Sequence, residues 1–212
     1  MSMNVVVAIP SYGQTKNVFA ISLAKMVAYF AQHRVDPAFS DQAMDFDVRE
    51  GSGVGSNRDW LIDRALEKPG MTHVLFIDED MAFEPHTLHV LASRKLPIVG
   101  CNYRMRHPPA EFTALALNAE GRIDTTTEST GVEECLVMGF GFSLIERKVF
   151  EALPRPRFLA FYADDHYSTE DTPFFLNARK EGFVAHVDHD ASKLIAHRGD
   201  VTYRWNRTYS TL

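Results

Sequence analysis

Three consecutive carboxylates, Asp78-Glu79-Asp80, stand directly behind the apolar run Val74-Leu75-Phe76-Ile77. The run is short and rich in β-branched and aromatic residues, the pattern of a buried strand. Burying an unpaired carboxylate is costly, so the triplet must lie at the strand's exposed end or face a cation. In extended backbone, residues two apart point to the same side, which pairs Asp78 with Asp80. Two such oxygen ligands can hold Mg2+ or Mn2+, and the cation can in turn bridge phosphates. The competing account is a solvated acidic turn, because Asp-x-Asp is a short pattern.

Other groups able to do chemistry are spread along the chain. Pro10-Ser11-Tyr12-Gly13 breaks off the apolar run Val5 to Ile9. Tyr12 there can stack on a base or pack on its own sheet. Gly51-Ser52-Gly53-Val54-Gly55-Ser56 precedes Asn57-Arg58-Asp59. A glycine-rich loop before a helix lets backbone N–H groups approach an anion, with Arg58 as the cationic candidate. A flexible connector and a surface arginine are the alternative. Thr169-Glu170-Asp171-Thr172-Pro173 reads as a helix start, where the helix dipole favours ionised carboxylates. His186, Asp188, His189, Asp190 and His197 crowd one late region and offer one metal ligand among them. Their spacing fits no zinc signature, since both cysteines are elsewhere. Arg198, Arg204 and Arg207 supply cations nearby.

The intervening elements must bring these groups together. Phe19, Leu23, Met26, Val27 and Phe30 recur at helical spacing, predicting a helix from Thr15 to Gln32. A short second strand is read over Asp45–Val48. A helix with Leu61, Ile62, Ala65 and Leu66 inward follows and closes at Pro69-Gly70. Pro85 opens a third helix, and Leu96 to Cys101 contains another buried strand. Strand and helix alternate as far as Cys101, which argues for a parallel sheet covered by helices. Ligands of such sheets lie at the carboxyl ends of strands, where both Pro10–Gly13 and Asp78–Asp80 fall.

The second half reads differently. A hairpin is predicted from Phe112 to Asp124, turning at Asn118-Ala119-Glu120-Gly121. Gly139 and Gly141 lie in a strand pattern from Val132 to Ile145 and mark a close backbone approach. A short helix covers Lys148 to Leu153, and Pro154 to Ser168 reads as a long loop. The next helix runs from Thr169 to about Glu181 and stops at Gly182.

Composition narrows the function classes. The 212 residues are 45% hydrophobic and 24% charged, which fits a single globular domain with a full core. Twenty-two Lys and Arg against 28 Asp and Glu give a net charge of −6, so nonspecific nucleic-acid binding is not expected. Cys101 and Cys135 can pair, although reduced thiols are the expected state. There is no signal-peptide pattern and no run of about 18 apolar residues, so a cytoplasmic location and no membrane span are expected.

The order of these features resembles GT-A-type glycosyltransferases, closest to the family 2-like branch and to small soluble members of bacterial or phage type. Ile9-Pro10-Ser11-Tyr12, Leu75 to Asp80 and Pro97-Ile98-Val99-Gly100 resemble that group's nucleotide-sugar half. Met138 to Phe150, Thr169-Glu170-Asp171, Lys180 to Phe183 and His197-Arg198-Gly199 resemble its acceptor side. The likeness runs from about Val5 to Gly199. It implies a single Rossmann-like α/β domain, with a mainly parallel sheet, helices on both faces and a smaller antiparallel acceptor-side portion. Residues 1–106 would form the nucleotide-sugar half, 107–200 the acceptor half and 201–212 a tail.

The resemblance also implies roles. The Asp-Glu-Asp triplet would contact the donor's ribose and an Mn2+ or Mg2+ ion, with Asp78 and Asp80 as ligands, Glu79 among the donor contacts and His197 completing the metal shell. Pro10, Ser11 and Tyr12 would lie against the nucleotide base, and Arg58 would contact the donor. Asp171 or Glu170 would be the base of an inverting reaction, whereas a retaining one needs none. The base-recognising acid of the second strand has no clear counterpart, Asp36 and Asp41 being poorly placed. The implied activity is transfer of a sugar from a nucleotide diphosphate sugar to an acceptor hydroxyl. A nucleotidyltransferase of related fold is one alternative, although Pro10-Ser11-Tyr12-Gly13-Gln14 is no basic glycine-rich loop. A non-catalytic nucleotide- or sugar-binding protein is the other.

Overall fold

A computed structural model describes residues 2–35, 37, 41–51, 53–105, 110–116, 121–163, 166–199, 202–204 and 209–210. Asp36, Ser52, Leu117, the turn residues Asn118, Ala119 and Glu120, and Arg207 lie outside them. The first part of the chain alternates β1 (Ser2–Ser11), α1 (Asn17–Gln32), β2 (Asp41–Glu50), α2 (Val54–Glu67) and β3 (His73–Ile77). β4 (Met81–Phe83), α3 (Thr87–Ser93) and β5 (Ile98–Gly100) follow. The second part contributes β6 (Val132–Cys135), β7 (Phe142–Glu146), α4 (Arg147–Ala152), β8 (Phe161–Ala163), β9 (His166–Ser168) and α5 (Asp171–Lys180). It ends with β10 (Ala185–Asp188), α6 (His189–Ser192), β11 (Ile195–Arg198), β12 (Thr202–Arg204) and β13 (Tyr209–Ser210).

A seven-stranded sheet in the order β2-β1-β3-β7-β5-β10-β6 forms the centre. β2, β1, β3, β5 and β10 run one way, and β7 and β6 run against them. The period-2 geometry of its strands sorts their apolar residues onto two faces. Val6, Ala8, Val74, Phe76 and Ile145 pack under α2, α4 and α5, through Leu61, Phe150 and Phe174 among others. Val5, Val7, Ile9, Leu75 and Leu144 pack under α1 and α3, through Met26, Phe30 and Leu88. Both faces are buried, which is why β1 and β3 read as unbroken apolar runs. A second sheet, β13-β12-β11-β4, is antiparallel. No helix among the described residues is long and apolar enough to cross a membrane.

Several boundaries differ from the sequence reading. β2 spans ten residues rather than four, because parallel pairing with β1 along Ser2–Ser11 extends it regardless of its charged side chains. α2 begins inside the glycine-rich segment, at Val54. Its first turn lies so close to neighbouring chain that a Cβ on Gly55 would come within 2.8 Å of the Phe158 carbonyl oxygen. The expected loop from Pro154 to Ser168 contains the β8–β9 hairpin. The predicted hairpin at 112–124 appears as isolated bridges, Leu115 with Arg122 and with Val137.

Candidate functional site

A pocket of about 520 Å³ opens at the carboxyl ends of β1 and β3. Of the residues given roles by the resemblance, all but Ser11 line it, whereas His186, Asp188, His189 and Asp190 do not. β1 brings Pro10 and Tyr12, the turn after β3 brings Asp78, Glu79 and Asp80, and α2 brings Val54 and Arg58. Glu170 and Asp171 come from the start of α5, and His197 from β11.

Arg58 is a buried residue, not a surface one. Its Nη1 donates to Glu170 Oε1 at 2.5 Å and to Asp171 Oδ1 at 2.7 Å, and Nη2 donates to Asp78 Oδ1 at 3.2 Å. The guanidinium lies 4.9 Å over the Phe140 ring. Phe140 belongs to a cluster with Phe76, Phe158, Phe174 and Phe175 that joins β3 to α5. Burial opposes the charge on Arg58, yet Asp171, Asp78 and Glu170 hold its pKa above the usual value.

The acids respond to the same surroundings. Burial raises the Asp78 pKa, and Arg58 offsets only part of this. Burial pushes Asp171 up to about 7 against the pull of Arg58, with Glu170 and Asp78 adding to the rise. The helix start was expected to favour ionised Asp171; desolvation and two neighbouring carboxylates outweigh the dipole here. Neither acid caps α5, since Glu170 at the N-cap makes no side-chain capping bond and both carboxylates turn to Arg58.

The acidic triplet is a turn, not extended backbone, closed by Met81 N–H donating to Asp78 C=O at 3.1 Å. Its middle residue faces the loop after β1. Glu79 accepts from Ser11 Oγ and from Tyr12 N–H, each at 2.6 Å. Ser11 is thereby buried behind the pocket, and Tyr12 stands at the rim, 57% exposed. Register explains how His197 reaches Asp80, because β11 pairs with β4 so that His197 faces Met81 and Arg198 N–H donates to Asp80 C=O. His197 lies within β11. Its Nε2 is 3.3 Å from Asp80 Oδ2, and its Nδ1 lies 2.8 Å from the Arg104 carbonyl. A carbonyl only accepts, so Nδ1 carries the hydrogen and Nε2 keeps its lone pair in the neutral ring. Burial draws the His197 pKa down, and Asp80 more than offsets this, leaving it raised.

Among the described residues, no three histidine, cysteine or carboxylate side chains converge as a ready metal cage. Asp80 and His197 are a mixed oxygen–nitrogen donor pair, with the imidazole oriented by a backbone carbonyl in the manner usual for metal-bound histidine. Such a pair can contribute two ligands to a divalent cation, the rest of whose shell would come from elsewhere. The late histidine–aspartate group separates by role. Asp188 and Asp190 pair with Arg94, and His189 bonds Thr125 and Glu133, so these residues fasten α6 to its neighbours. Cys101 and Cys135 are buried free thiols.

Four residues at or beside the site escaped sequence reasoning. Gln14 and Lys16 line the pocket, Lys16 at the N-terminus of α1. Glu50 ends β2 opposite Ser11, and its carboxylate lies against Gly13, where a Cβ would come within 2.8 Å of Oε1. Tyr103 is the neighbour that Gly139 and Gly141 make room for. A Cβ on Gly141 would meet its ring at 2.6 Å, and Gly141 N–H donates to its hydroxyl at 2.8 Å. Tyr103 stands edge-on to His197, with ring centroids 5.2 Å apart. An aromatic soon after an apolar strand, as Tyr12 follows β1, was the available signal.

This sheet order, with the acidic turn and pocket at the strand ends, defines a GT-A-like domain. No protein-family model matches the sequence, and no curated protein matches it. Among solved structures, the chain is similar to A197 from STIV, with a TM-score of 0.69 and 17% identity over 99% of this chain and 93% of that one. It is also similar to S. aureus TarS 1–349, with a TM-score of 0.45 and 14% identity over 88% of this chain and 57% of that one. A glycosyltransferase involved in the glycosylation of the major capsid of PBCV-1 matches with a TM-score of 0.39 and 11% identity, covering 70% of this chain and 62% of that one. At 17% identity the likeness to A197 is one of fold alone.

Proposed function

We propose that the chain is a glycosyltransferase that moves a sugar from a nucleotide diphosphate sugar to an acceptor hydroxyl with inversion. The observation that carries this reading is the meeting of the β1 loop, the Asp78–Asp80 turn, His197 and Asp171 in one pocket. Five carboxylates against Arg58, Lys16 and His197 make that pocket acidic. An anionic diphosphate entering it needs a cation between, and Asp80 and His197 are the residues to hold Mn2+ or Mg2+. When bound, the ion supplies charge neutralisation for the departing diphosphate.

The chain's own residues divide the remaining work. Pro10 and Tyr12 flank the nucleotide base, Glu50 takes the position of the base-recognising acid, and Asp78 faces the donor's ribose. The acceptor oxygen attacks the anomeric carbon as the bond to the phosphate oxygen breaks, and that oxygen leaves with the electron pair. The acceptor's proton passes to Asp171, whose pKa near 7 suits a base at neutral pH. Glu170 is held more closely by Arg58 and its Cβ lies against the first turn of α2, so it serves as an ion-pair partner.

The nucleotidyltransferase alternative needs backbone N–H groups that cradle phosphate after the first strand. Here Tyr12 N–H donates to Glu79 and Gly13 N–H to Ser11 Oγ, which commits both. The test is a melting panel of UDP, GDP, ADP and CDP with and without Mn2+. One nucleotide at a hundredfold excess over its Kd should add about 2.7 kcal/mol, or roughly 5–11 °C, and only with Mn2+. No shift with any of the four would sink the proposal.

A further inference from the structure

Arg58 joins parts of the chain that are far apart in sequence. It reaches Asp78 across 20 residues and Glu170 and Asp171 across 112 and 113. The approach depends on Gly55, in the first turn of α2 and three residues before Arg58. A Cβ there would lie 2.8 Å from the Phe158 carbonyl oxygen and 3.2 Å from Glu170 Cβ, so α5 could not start where it does. Nη1 donates to two carboxylates and Nη2 to a third, so the polar edge of the guanidinium is turned into the acidic cluster, and among the described residues Nε is buried without a partner.

We infer that Arg58 is a positioning residue: it fixes the Asp171 carboxylate relative to the Asp78 turn, and it does not bind the donor's phosphates. This rests on the reading of Asp171 as the base. A planar guanidinium sets the direction of each bond it makes, which a lysine ammonium cannot do. A base held by one oxygen and tied through one cation to the donor turn keeps its distance from the reacting carbon. A displacement of about 1 Å in such an arrangement can cost on the order of 100-fold in rate.

The test uses the full chain in Mn2+. UDP and GDP serve as binding probes by calorimetry. UDP-glucose, UDP-galactose and GDP-mannose serve as donors, with water as acceptor and released nucleoside diphosphate counted. Arg58→Lys should lower turnover at saturating donor by about 100-fold while the Kd of UDP or GDP stays within about threefold. In an Asp171→Asn background the same substitution should add no more than about twofold, because Arg58 acts through Asp171. Arg58→Gln combined with Glu170→Gln keeps the cluster's net charge and covers the case in which Arg58→Lys does not fold; it should show the same loss. A tenfold weaker nucleotide Kd with unchanged turnover would make Arg58 a donor ligand and overturn the inference. So would multiplicative losses in the Asp171→Asn background, or full turnover by the charge-balanced pair. Wild-type turnover by Asp171→Asn alone would instead remove the base assignment and this inference with it. A wild-type chain that releases no nucleotide from any donor would remove both together with the transferase reading.

Discussion

The Arg58 cluster and the Asp80–His197 pair share one pocket but are built for opposite purposes. Arg58 is permanently charged, packed on Phe140 and surrounded by Asp78, Glu170 and Asp171. Removing it would strand buried carboxylates at a cost of about 3–5 kcal/mol, so the cluster is meant to stay as it is. Asp80 has a different partner. His197 is a titratable cation, which Asp80 holds in its charged form more firmly than an ordinary histidine, and once it gives up its proton Nε2 offers a lone pair beside the carboxylate. A guanidinium neutralises acids for good, whereas an imidazole lets one be recruited. Acidic residues close together can thus be assigned to fixed or exchangeable roles by the cation each one faces.

The largest expected effect tests the exchangeable side. Asp80→Ala should abolish Mn2+-dependent nucleotide binding and leave the melting temperature nearly unchanged, since the residue sits in a turn. Unchanged nucleotide affinity in Mn2+ by calorimetry would show that the pair is not a metal site.

Next comes the fixed side. Asp171→Asn should slow transfer by about 100-fold or more with donor affinity retained. Wild-type transfer would reassign the base to Glu170 or to no protein group. A smaller change, of about tenfold, is expected for His197→Ala in metal affinity, with metal-free nucleotide binding unaffected. Equal losses with and without metal would make His197 a structural residue and erase the contrast between the two sides.

The smallest effect is on stability. The Asp171 pKa rises from 3.8 to about 7 on folding, so the native state holds that proton more tightly than the unfolded chain. The associated stability is fully present below about pH 4 and is lost as the pH rises through 7. Asp171→Asn lacks this loss, so its melting temperature should gain on the wild type between pH 4 and 7 and then level off. The gain is on the order of 1–4 kcal/mol at most, given the coupling to Glu170. Parallel melting curves across that range would mean that Asp171 is ionised throughout.

The positions of β1 and β3, and of the acidic residues behind β3, were legible because burial on both faces leaves unbroken apolar runs, as at Val5–Ile9 and Val74–Ile77. Their location at strand ends follows from chain alternation alone. Arg58 stood in sequence as a cationic candidate with a surface arginine as the alternative, and nothing local could decide between them because its burial depends on Glu170 and Asp171, more than a hundred residues on. The role of Glu79 was hidden for a related reason. Three adjacent carboxylates look alike in sequence, and only the turn reveals that the middle one faces Ser11 and Tyr12. Tyr103 left two faint signals, an aromatic soon after an apolar strand and the space made by Gly139 and Gly141, and neither names its place beside His197. The single strand pattern read from Val132 to Ile145 is in fact two strands, β6 and β7, which lie apart in the sheet, and neither the break between them nor their antiparallel direction could be seen without it.

The place of β7 has a consequence for how the chain is made. It lies between β3 and β5, bonded to both, yet it follows β5 by some forty residues of sequence. At synthesis rates of about 5–20 residues per second, those two strands wait roughly 2–9 s for the segment that joins them. Throughout that interval each has an apolar edge with open hydrogen-bonding groups, a surface on which a nascent neighbour can pair. The acidic turn hangs from one of these strands. A ribosome-bound chain shorter than Glu146 therefore carries the Asp78–Asp80 residues without the wall they belong to, and the pocket is among the last parts of the molecule to exist.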